Sequence, residues 1–372
     1  MHHSHPGRAT ARRAATLATV LGFAALLTGC GGGSDDASDQ GGSEGSGGDE
    51  VTLVTHDSFE IPQEVLDAFT AESGYRVEVL RGGDAGVVVN QAVLSRGNPQ
   101  GDVLFGVDNT LLSRALDAGV FLPHEAAGLA EVPEELQLDA GEHRVTPVDT
   151  GDICVNYDRG YFAEHDLTPP ETLDDLADPA YRDLLVVENA ATSSPGLGFL
   201  LATVDAYGED GWQEYWQRLA DNGVEVVDGW EQAYYERFSG AGGSSGDRPL
   251  VVSYASSPPA EVAFGGGEEL PDEAPTGVAT GTCFRQIEFA GLLDGAANPE
   301  GGRALLDFLL SDAFQRELPM SMFVNPVREG TELPEVFTRY GATVAEPWSV
   351  EPATIAEHRE EWVDEWTSLV VR

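Results

Sequence analysis

Hydrophobic and polar positions after residue 50 follow two alternating periods. Residues 51–55 alternate apolar and polar side chains, as a half-buried strand does, and 61–73 carry apolar residues at helical spacing. Two further apolar runs, 75–80 and 102–106, are separated by a second helical segment. This β-α-β-α-β order predicts a mainly parallel sheet covered by helices.

The same order of elements returns after residue 180. Segments 183–188, 224–227 and 249–254 are apolar runs typical of buried strands, and helical patterns follow them. Two extended segments, 146–157 and 282–292, connect this part of the chain with the earlier part. We therefore expect two α/β units joined by extended crossings.

The length of this region also favours two lobes, since one simple core seldom holds so many residues. We predict that residues 51–155 and 280–372 form the first lobe and that 156–279 form the second. Each lobe is expected to be a mainly parallel sheet flanked by helices. In such sheets ligands bind beyond the carboxyl ends of the strands, which predicts a cleft between the lobes.

The first 30 residues have the pattern of an export signal. A short basic segment precedes an apolar run, 14–26, which is too short to span a bilayer comfortably. The sequence Leu-Thr-Gly-Cys then ends at Cys30 and resembles the bacterial lipoprotein box, which implies lipidation of that cysteine. Residues 31–50 are almost only Gly, Ser, Asp, Glu and Gln, a composition typical of a flexible acidic tether. We predict an exported domain held by lipid on the outer face of the bacterial cytoplasmic membrane.

The charge of the chain restricts its partners. It has 64 acidic residues against 20 basic ones, a formal net charge of −44, and every basic residue is arginine. Such a surface excludes nucleic acid as a natural partner. The negative charge would attract a cationic ligand towards the cleft. Most of the charge, however, is explained by a solvated acidic surface that has no specific ligand.

Two cysteines remain in the exported part, Cys154 and Cys283. Both lie in strand-like segments, and the compartment permits oxidation. A disulfide between them and a pair of buried thiols are both compatible with the sequence, since spacing alone does not show proximity.

The segment 192–198 reads Thr-Ser-Ser-Pro-Gly-Leu-Gly and joins a predicted strand to a helix. This order places Ser193 and Ser194 at the helix N-terminus, with Gly196 in the first turn. The free N–H groups there attract anionic or hydroxyl oxygens. The alternative is an ordinary capped helix with no ligand.

Acidic and hydroxyl side chains follow the predicted strands of the first lobe. Asp57 and Ser58 follow the first strand, Asp84 the second and Asp108 the third. Because the carboxyl ends of parallel strands meet at one edge, we expect these four side chains to border the cleft.

The motifs in this order resemble the thiamine-binding family of solute-binding proteins that serve ABC importers. The resemblance covers nearly all of 51–372 and implies a type II periplasmic-binding-protein fold. The segments that carry it are Asp57-Ser-Phe59, Gly106-Val-Asp-Asn109, Thr192-Ser-Ser-Pro-Gly-Leu-Gly198, Gly229-Trp-Glu-Gln-Ala-Tyr234, Ser253-Tyr-Ala-Ser-Ser-Pro258, Asn325-Pro-Val327 and Glu361-Trp-Val-Asp-Glu-Trp366.

The resemblance also implies roles for residues. Trp230 and Tyr254 would line the site of the cationic thiazolium ring, since aromatic faces attract cations; the alternative for both is ordinary core packing. Ser193 and Ser194 would hold the hydroxyl or phosphate end of thiamine or a thiamine phosphate, and Asp57 would bind the pyrimidine or offset the charge. The other residues that we expect in the site are Ser58, Asp84, Asp108, Gly196, Tyr234, Phe323 and Asn325.

Some positions depart from the family pattern. His56 stands where the family tends to have tyrosine before the Asp-Ser pair, and Ala260 and Phe323 replace a tyrosine and a tryptophan. The tryptophan expected shortly after that pair is missing from 60–62. His56 either ends the strand or replaces an aromatic wall, and in the second case binding weakens at acid pH.

Two other ligands that a protein of this fold could bind remain as alternatives at this point. The adjacent pair Tyr234-Tyr235 suggests a ferric-ion site, although neighbours on an α-helix point about 100° apart. A polyamine or another small cation would need several carboxylates around a slot, which Asp57, Asp84, Asp108 and Asp149 supply.

We expect a binding protein and not an enzyme. No Gly-x-Ser-x-Gly segment joins a predicted strand to a helix as the nucleophile elbow of hydrolases does, and the sequence lacks the His-Glu-x-x-His zinc motif. We expect a monomer with no cofactor and no metal, whose lobes close on the ligand. Its partners would be a membrane permease with its ATPase, and the membrane through the lipid on Cys30.

Overall fold

The computed structural model describes residues 48–265 and 270–371. The predicted signal peptide, the predicted lipidation site Cys30 and the predicted tether up to residue 47 lie outside these residues. Within the described ranges, no helix has both the length and the apolar character that a membrane span requires.

Ten strands of the described chain form one mixed sheet. They are β1 (Glu50–Thr55), β2 (Arg76–Arg81), β3 (Val103–Asp108), β4 (Phe121–Leu122), β5 (Thr146–Asp158), β6 (Leu185–Glu188), β7 (Glu225–Val227), β8 (Leu250–Tyr254), β9 (Thr276–Leu293) and β10 (Asn325–Pro326).

The order of strands across the sheet is β2-β1-β3-β9-β5-β8-β6-β7, with β4 beside β9 and β10 beside β5. The two ends, β2-β1-β3 and β8-β6-β7, are parallel, as the β-α alternation predicts. The middle is antiparallel, because β5 and β9 run in opposite directions between the two ends. The prediction of mainly parallel sheets therefore applies to the outer strands, and these crossing strands join both ends into one sheet.

Thirteen helices surround this sheet in the residues described. They are α1 (Gln63–Ser73), α2 (Ala85–Leu94), α3 (Leu112–Asp117), α4 (Arg159–Glu164), α5 (Leu173–Leu176), α6 (Ser194–Tyr207), α7 (Trp212–Asp221), α8 (Ser257–Phe264), α9 (Pro299–Leu309), α10 (Asp312–Gln315), α11 (Leu318–Ser321), α12 (Glu335–Tyr340) and α13 (Pro352–Val370). Single 3₁₀ turns occupy Leu129–Glu131, Glu134–Leu136 and Pro179–Tyr181, and a wider π-type turn occupies Gln232–Arg237.

Helix α6 packs closely against the central strands because its first turns carry glycine. A Cβ atom at Gly196 would lie 2.5 Å from the carbonyl oxygen of Glu188, and one at Gly198 would lie 2.5 Å from Ile153. Real Cβ contacts are not that short. Glycine is required at Gly196 because the close atoms belong to the backbone, whereas a side chain at Gly198 would require the Ile153 side chain to shift. The helix therefore begins directly above the end of β6, as the sequence predicts.

Helix α13 is amphipathic, and its buried side chains include Ile355, Trp362 and Trp366. The ring of Trp366 packs edge-on against Trp216 of α7, with centroids 5.4 Å apart. This contact joins the end of the chain, which we assigned to the first lobe, to a helix that we assigned to the second. The lobe boundaries stay a prediction.

The crossing strands are covalently joined. Cys154 of β5 and Cys283 of β9 form a disulfide with an S–S distance of 2.04 Å and a sequence separation of 129. Both cysteines are buried. Of the two alternatives that the sequence leaves open, the structure contains the disulfide.

Candidate functional site

A cavity of about 840 Å³ lies beyond the carboxyl ends of strands from both ends of the sheet. This volume is within the range of about 300–1,000 Å³ that is usual for small-molecule sites. The segments that follow β1, β2, β6, β7 and β8 contribute to its walls, together with Glu288 of β9. The position is the one that the strand order predicts for a ligand site.

Seven of the twelve predicted binding residues line this cavity. They are Ser58, Asp84, Ser194, Trp230, Tyr234, Tyr254 and Phe323. The sheet and the helix starts therefore bring together residues that are up to 265 positions apart in the chain (Ser58 to Phe323).

The aromatic wall of the cavity consists of Trp230, Tyr234 and Tyr254. Trp230 stacks on Tyr234 with a centroid distance of 5.1 Å and an angle of 17°, and its centroid is 6.3 Å from that of Tyr254. The indole Nε1 donates a hydrogen bond to Ser253 Oγ at 2.9 Å, and the Tyr234 hydroxyl donates to Glu261 Oε1 at 2.8 Å. The polar atoms of two rings are thus fixed, and Tyr234 supports the indole of Trp230 from one face.

Tyr235 also lines the cavity, at its rim, where 53% of the residue is exposed. Its ring crosses that of Tyr234 at 86°. Two sequential residues both border the cavity because they lie in the π-type turn Gln232–Arg237, which is wider than an α-helix. Our argument that helical neighbours would point apart therefore does not apply here.

Asp84 connects the start of α2 to the aromatic wall. Its carboxylate accepts hydrogen bonds from the backbone N–H of Ala85 at 2.6 Å and from that of Trp230 at 2.9 Å. Burial raises the pKa of Asp84 to about 6, against the lowering effect of these two bonds. A Cβ at Gly86 would lie 2.5 Å from the carbonyl oxygen of Thr192, so α2 also touches the loop before α6.

The start of α6 offers two serine hydroxyls with different surroundings. Ser194 Oγ accepts a hydrogen bond from Gln286 Nε2 at 3.1 Å and borders the cavity. Ser193 is buried, and its Oγ has no hydrogen-bond partner among the described residues. The sequence predicts the helix start correctly, but the Ser193 side chain does not cap the helix.

Five predicted residues lie outside the cavity wall formed by the described residues: Asp57, Asp108, Ser193, Gly196 and Asn325. Asp57 is exposed, because the chain turns outward directly after His56. Asp108 is buried below the cavity. Gly196 fits against the end of β6, and Asn325 pairs with Thr150 in the sheet.

Phe323 closes another side of the cavity. Its ring stacks on Phe337 with a centroid distance of 6.0 Å and meets Phe264 edge-on at 5.2 Å. The backbone at Phe323 is left-handed, with φ of 55°, which is unusual for a bulky residue and turns its side chain into this cluster.

His56 is a buried member of the wall. Its Nδ1 lies 2.9 Å from Ser58 Oγ, and its ring packs against Phe105 at 5.6 Å. Burial, with a smaller effect of the Arg81 charge, lowers the pKa of His56 to about 4. The imidazole is therefore neutral near pH 7, and it does not account for any pH effect above about pH 5.

The sequence analysis missed four acidic residues of the wall: Glu60, Glu231, Glu261 and Glu288. Glu288 is buried, whereas Glu231 is exposed at the mouth. A charged residue between Ile287 and Phe289 in a predicted buried strand was the available signal, since such residues are seldom buried without a function.

Comparison with known proteins is consistent with this geometry. A family model described as bacterial extracellular solute-binding protein matches residues 98–257. The thiamine-binding periplasmic protein of Escherichia coli (strain K12) is 30% identical over 327 residues, which cover 87% of this chain and 94% of that protein. This chain belongs to the thiamine-binding periplasmic protein family. The family inferred from the motifs is thereby confirmed.

Solved structures give the same result for the fold of this thiamine-binding family member. A structure titled periplasmic thiamin binding protein superposes with a TM-score of 0.73 at 27% identity, covering 87% of this chain and 96% of the other. Iron-bound HitA from Pseudomonas aeruginosa has a TM-score of 0.67 at 18% identity, covering 86% and 99%. The second likeness shows the fold alone. The predicted two-lobed α/β fold of periplasmic binding proteins is confirmed.

Proposed function

We propose that this chain binds thiamine or a thiamine phosphate in the cavity and delivers it to the permease of an ABC importer. The observation that carries the proposal is the aromatic wall of Trp230, Tyr234 and Tyr254 in a cavity that is also lined by carboxyl groups. A cationic aromatic ligand suits both features, because ring faces attract a cation by about 0.5–2 kcal/mol each. The thiamine-binding relatives add support over most of the chain.

The orientation of the ligand follows from two parts of the cavity lining, the aromatic wall and the start of α6. The thiazolium ring would lie against Trp230 and Tyr254. The hydroxyl or phosphate end would lie towards Ser194 and the first N–H groups of α6, because a helix N-terminus favours anionic oxygens. Ser193 would join this end if its hydroxyl, which lies beside the Asp84 carboxyl, turns towards a phosphate.

Transport would use closure of the cavity. The Asp84 carboxylate on α2 already accepts from the Trp230 N–H, so a contact between the two predicted lobes exists next to the ligand site. A ligand that touches both lobes stabilises the closed form, which the permease and its ATPase would recognise. We further propose that the protein is a monomer, exported and held on the outer face of the membrane by lipid on Cys30.

Iron is a weaker candidate on the geometry of the tyrosines. Ferric ligation needs phenolates, but burial raises the pKa of Tyr234 well above its usual value and also raises that of Tyr235. The Tyr234 hydroxyl is bonded to Glu261. In the part of the chain that the structure covers, no cluster of three His, Cys, Asp or Glu side chains is arranged to hold a metal.

A polyamine slot is also poorly supported. Of the four aspartates that we considered for it, only Asp84 lines the cavity formed by the described residues. Asp57 is exposed, and Asp108 and Asp149 lie below the wall. The other carboxylates that line the cavity are Glu60, Glu231, Glu261 and Glu288. The aromatic wall beside them suits a ring cation better than a linear polyamine.

The proposal is tested by calorimetric titration of the exported domain with thiamine, its monophosphate and its diphosphate. The protein is first unfolded and refolded without reductant, which removes any bound ligand and keeps the disulfide. We expect one-to-one binding of at least one form. Absence of heat with all three, together with binding of ferric ion or a polyamine, would contradict the proposal.

A further inference from the structure

Three acidic side chains lie in one row across adjacent strands below the cavity. Asp108 of β3 is paired with Glu288 of β9, and Glu288 is paired with Asp149 of β5. Directly paired residues of antiparallel strands project from the same face, so the three carboxyls share one face. Glu288 is the central one and lines the cavity, and all three residues are at least 95% buried. We call this set the carboxyl row.

The two flanks of the carboxyl row differ in their hydrogen bonds. Asp108 accepts from the Thr110 hydroxyl at 2.6 Å, from the N–H groups of Thr110 and Leu111, and from Gln286 Nε2 at 2.9 Å. Neither carboxyl oxygen of Asp149 has a partner in the described part of the chain. A buried carboxylate without donors is strongly disfavoured, so Asp149 requires a proton or a cation nearby.

The surroundings of Glu288 supply no fixed positive charge. His56 Nε2 lies 3.6 Å from Glu288 Oε1, has no hydrogen-bond partner among the described residues, and belongs to a neutral imidazole near pH 7. Two other titratable groups on neighbouring elements interact with Glu288. Besides the effect of burial, the charge of Asp84 raises the pKa of Glu288, and the charge of Glu288 raises the pKa of Tyr254. Among the ion pairs of the described residues, none brings an arginine to Glu288 or Asp149.

One proton shared by Glu288 and Asp149 accounts for these observations in the empty protein. Burial and the adjacent carboxyl raise the pKa of Glu288 well above its usual value, and burial raises that of Asp149. Two carboxyls side by side in a buried site hold one proton between them, as a pair. That proton also gives Asp149 the hydrogen bond that it otherwise lacks.

We propose that Glu288 is the counter-charge of the cationic ring of the ligand, and that the bound cation replaces the proton that Glu288 shares with Asp149. This inference rests on the proposed function and adds a specificity-determining residue to it. The charge balances: one cation enters the cavity, one proton leaves to solvent, and the net charge of the site stays the same. The aromatic wall then recognises the ring, and the carboxyl row recognises its charge.

The test compares thiamine with deazathiamine, a neutral analogue in which carbon replaces the quaternary nitrogen of the ring. Wild type and Glu288→Gln are titrated with both compounds by calorimetry. We expect Glu288→Gln to lose affinity for thiamine by about 10- to 100-fold, the range of a charge-assisted contact. Its affinity for deazathiamine should change by less than about threefold, since only the charge is removed.

A matched control is Glu236→Gln, which removes the same charge from an exposed position near the aromatic wall. It should bind both compounds as wild type does. Equal losses for both compounds in Glu288→Gln would mean that Glu288 contacts the pyrimidine, which overturns the inference. Wild-type affinity for thiamine in Glu288→Gln would overturn it too. If wild type binds neither compound, the proposed function fails and the inference with it.

A second measurement needs no variant and so does not depend on how Glu288→Gln folds. Thiamine is titrated into wild type near pH 7 in two buffers with different ionisation enthalpies, which gives the number of protons released on binding. We expect a release of up to about one proton with thiamine and much less with deazathiamine. Equal release with both compounds, or none with either, would contradict the exchange of proton for cation.

Discussion

The aromatic wall and the carboxyl row border the same cavity but differ in how their polar atoms are satisfied. In the wall, the Trp230 indole and the Tyr234 hydroxyl are both bonded to neighbouring side chains. In the row, the oxygens of Asp149 have no partner among the described residues, and Glu288 lies beside a neutral histidine and other carboxyls. The wall is therefore preorganised without a ligand, whereas the row is electrostatically incomplete until a proton or a cation arrives. This difference indicates that shape and charge are recognised by separate parts of the site.

The disulfide gives the first test, because it joins the two strands that carry Glu288 and Asp149. Replacing both Cys154 and Cys283 by serine should lower the free energy of unfolding by about 2–5 kcal/mol, since the closed loop is long. Urea unfolding without reductant measures the loss. Below the unfolding transition, thiamine binding should persist, because the row and the wall are placed by the sheet itself. Unchanged stability of the variant would mean that the sheet needs no cross-link.

Removal of the aromatic face is expected to have the next largest effect. Trp230→Ala should cost about 2–4 kcal/mol in the free energy of thiamine binding, as central aromatic contacts do. Trp230→Phe, which keeps a ring and loses the bond to Ser253, should cost less. The control is Tyr235→Ala at the exposed rim, where a small loss is expected. A folded Trp230→Ala protein with wild-type affinity in calorimetry would refute the role of the wall.

The two flanks of the carboxyl row provide a matched pair of substitutions. Asp108→Asn places an amide donor against the Gln286 amide donor and should destabilise the fold by about 1–2 kcal/mol. Asp149→Asn removes an unpartnered buried acid and should be neutral or slightly stabilising. Thermal and urea unfolding of both variants in the empty protein measure the difference. Equal destabilisation by both would show that Asp149 has donors comparable with those of Asp108.

The pH dependence of stability is the smallest expected effect. The pKa of Asp84 is raised to about 6 in the folded protein, so between about pH 4 and pH 6 the folded state binds more protons than the unfolded state. Stability from this group is therefore present at acid pH and falls as pH rises through 6. The raised pKa values of Asp149 and Glu288 act in the same direction. The melting temperature should thus be higher near pH 5 than near pH 8.

Asp84→Asn should reduce the difference in melting temperature between pH 5 and pH 8 by about 2 °C, the shift that about 1 kcal/mol causes in a domain of this size. The exposed substitution Asp210→Asn, far from Asp84 in the sequence, is the control for the general repulsion among acidic residues, and it should leave that difference nearly unchanged. A melting temperature that rises from pH 5 to pH 8 would contradict the direction of these pKa shifts.

The sequence predicts the aromatic wall better than the carboxyl row for a physical reason. Trp230, Tyr234 and Tyr254 lie in motifs at or after strand ends, and the resemblance of these motifs to the thiamine-binding family marks them as site residues. Glu288 lies inside a strand, and its relation to Asp149 depends on the register of β5 and β9. A one-residue shift in register would turn each side chain to the other face, and no local pattern fixes that register over the two long strands.

The outer strands and the helix starts follow from hydrophobic periodicity, and most of their bounds agree within one or two residues. The failures are local turns. Asp57 lies two residues after the end of β1, as expected, yet the chain turns it into solvent. The π-type turn that brings both Tyr234 and Tyr235 to the cavity has no recognisable sequence pattern, because the same residues would also form an α-helix.

A crystal structure of the exported domain with thiamine tests the central claim most directly. We predict that the thiazolium ring lies against Trp230 and Tyr254 within about 6 Å of a ring centroid, the range of a cation–π contact. The hydroxyethyl end should lie near Ser194 at the start of α6. Thiamine bound elsewhere, or a metal ion held by both Tyr234 and Tyr235 in the same cavity, would contradict the account.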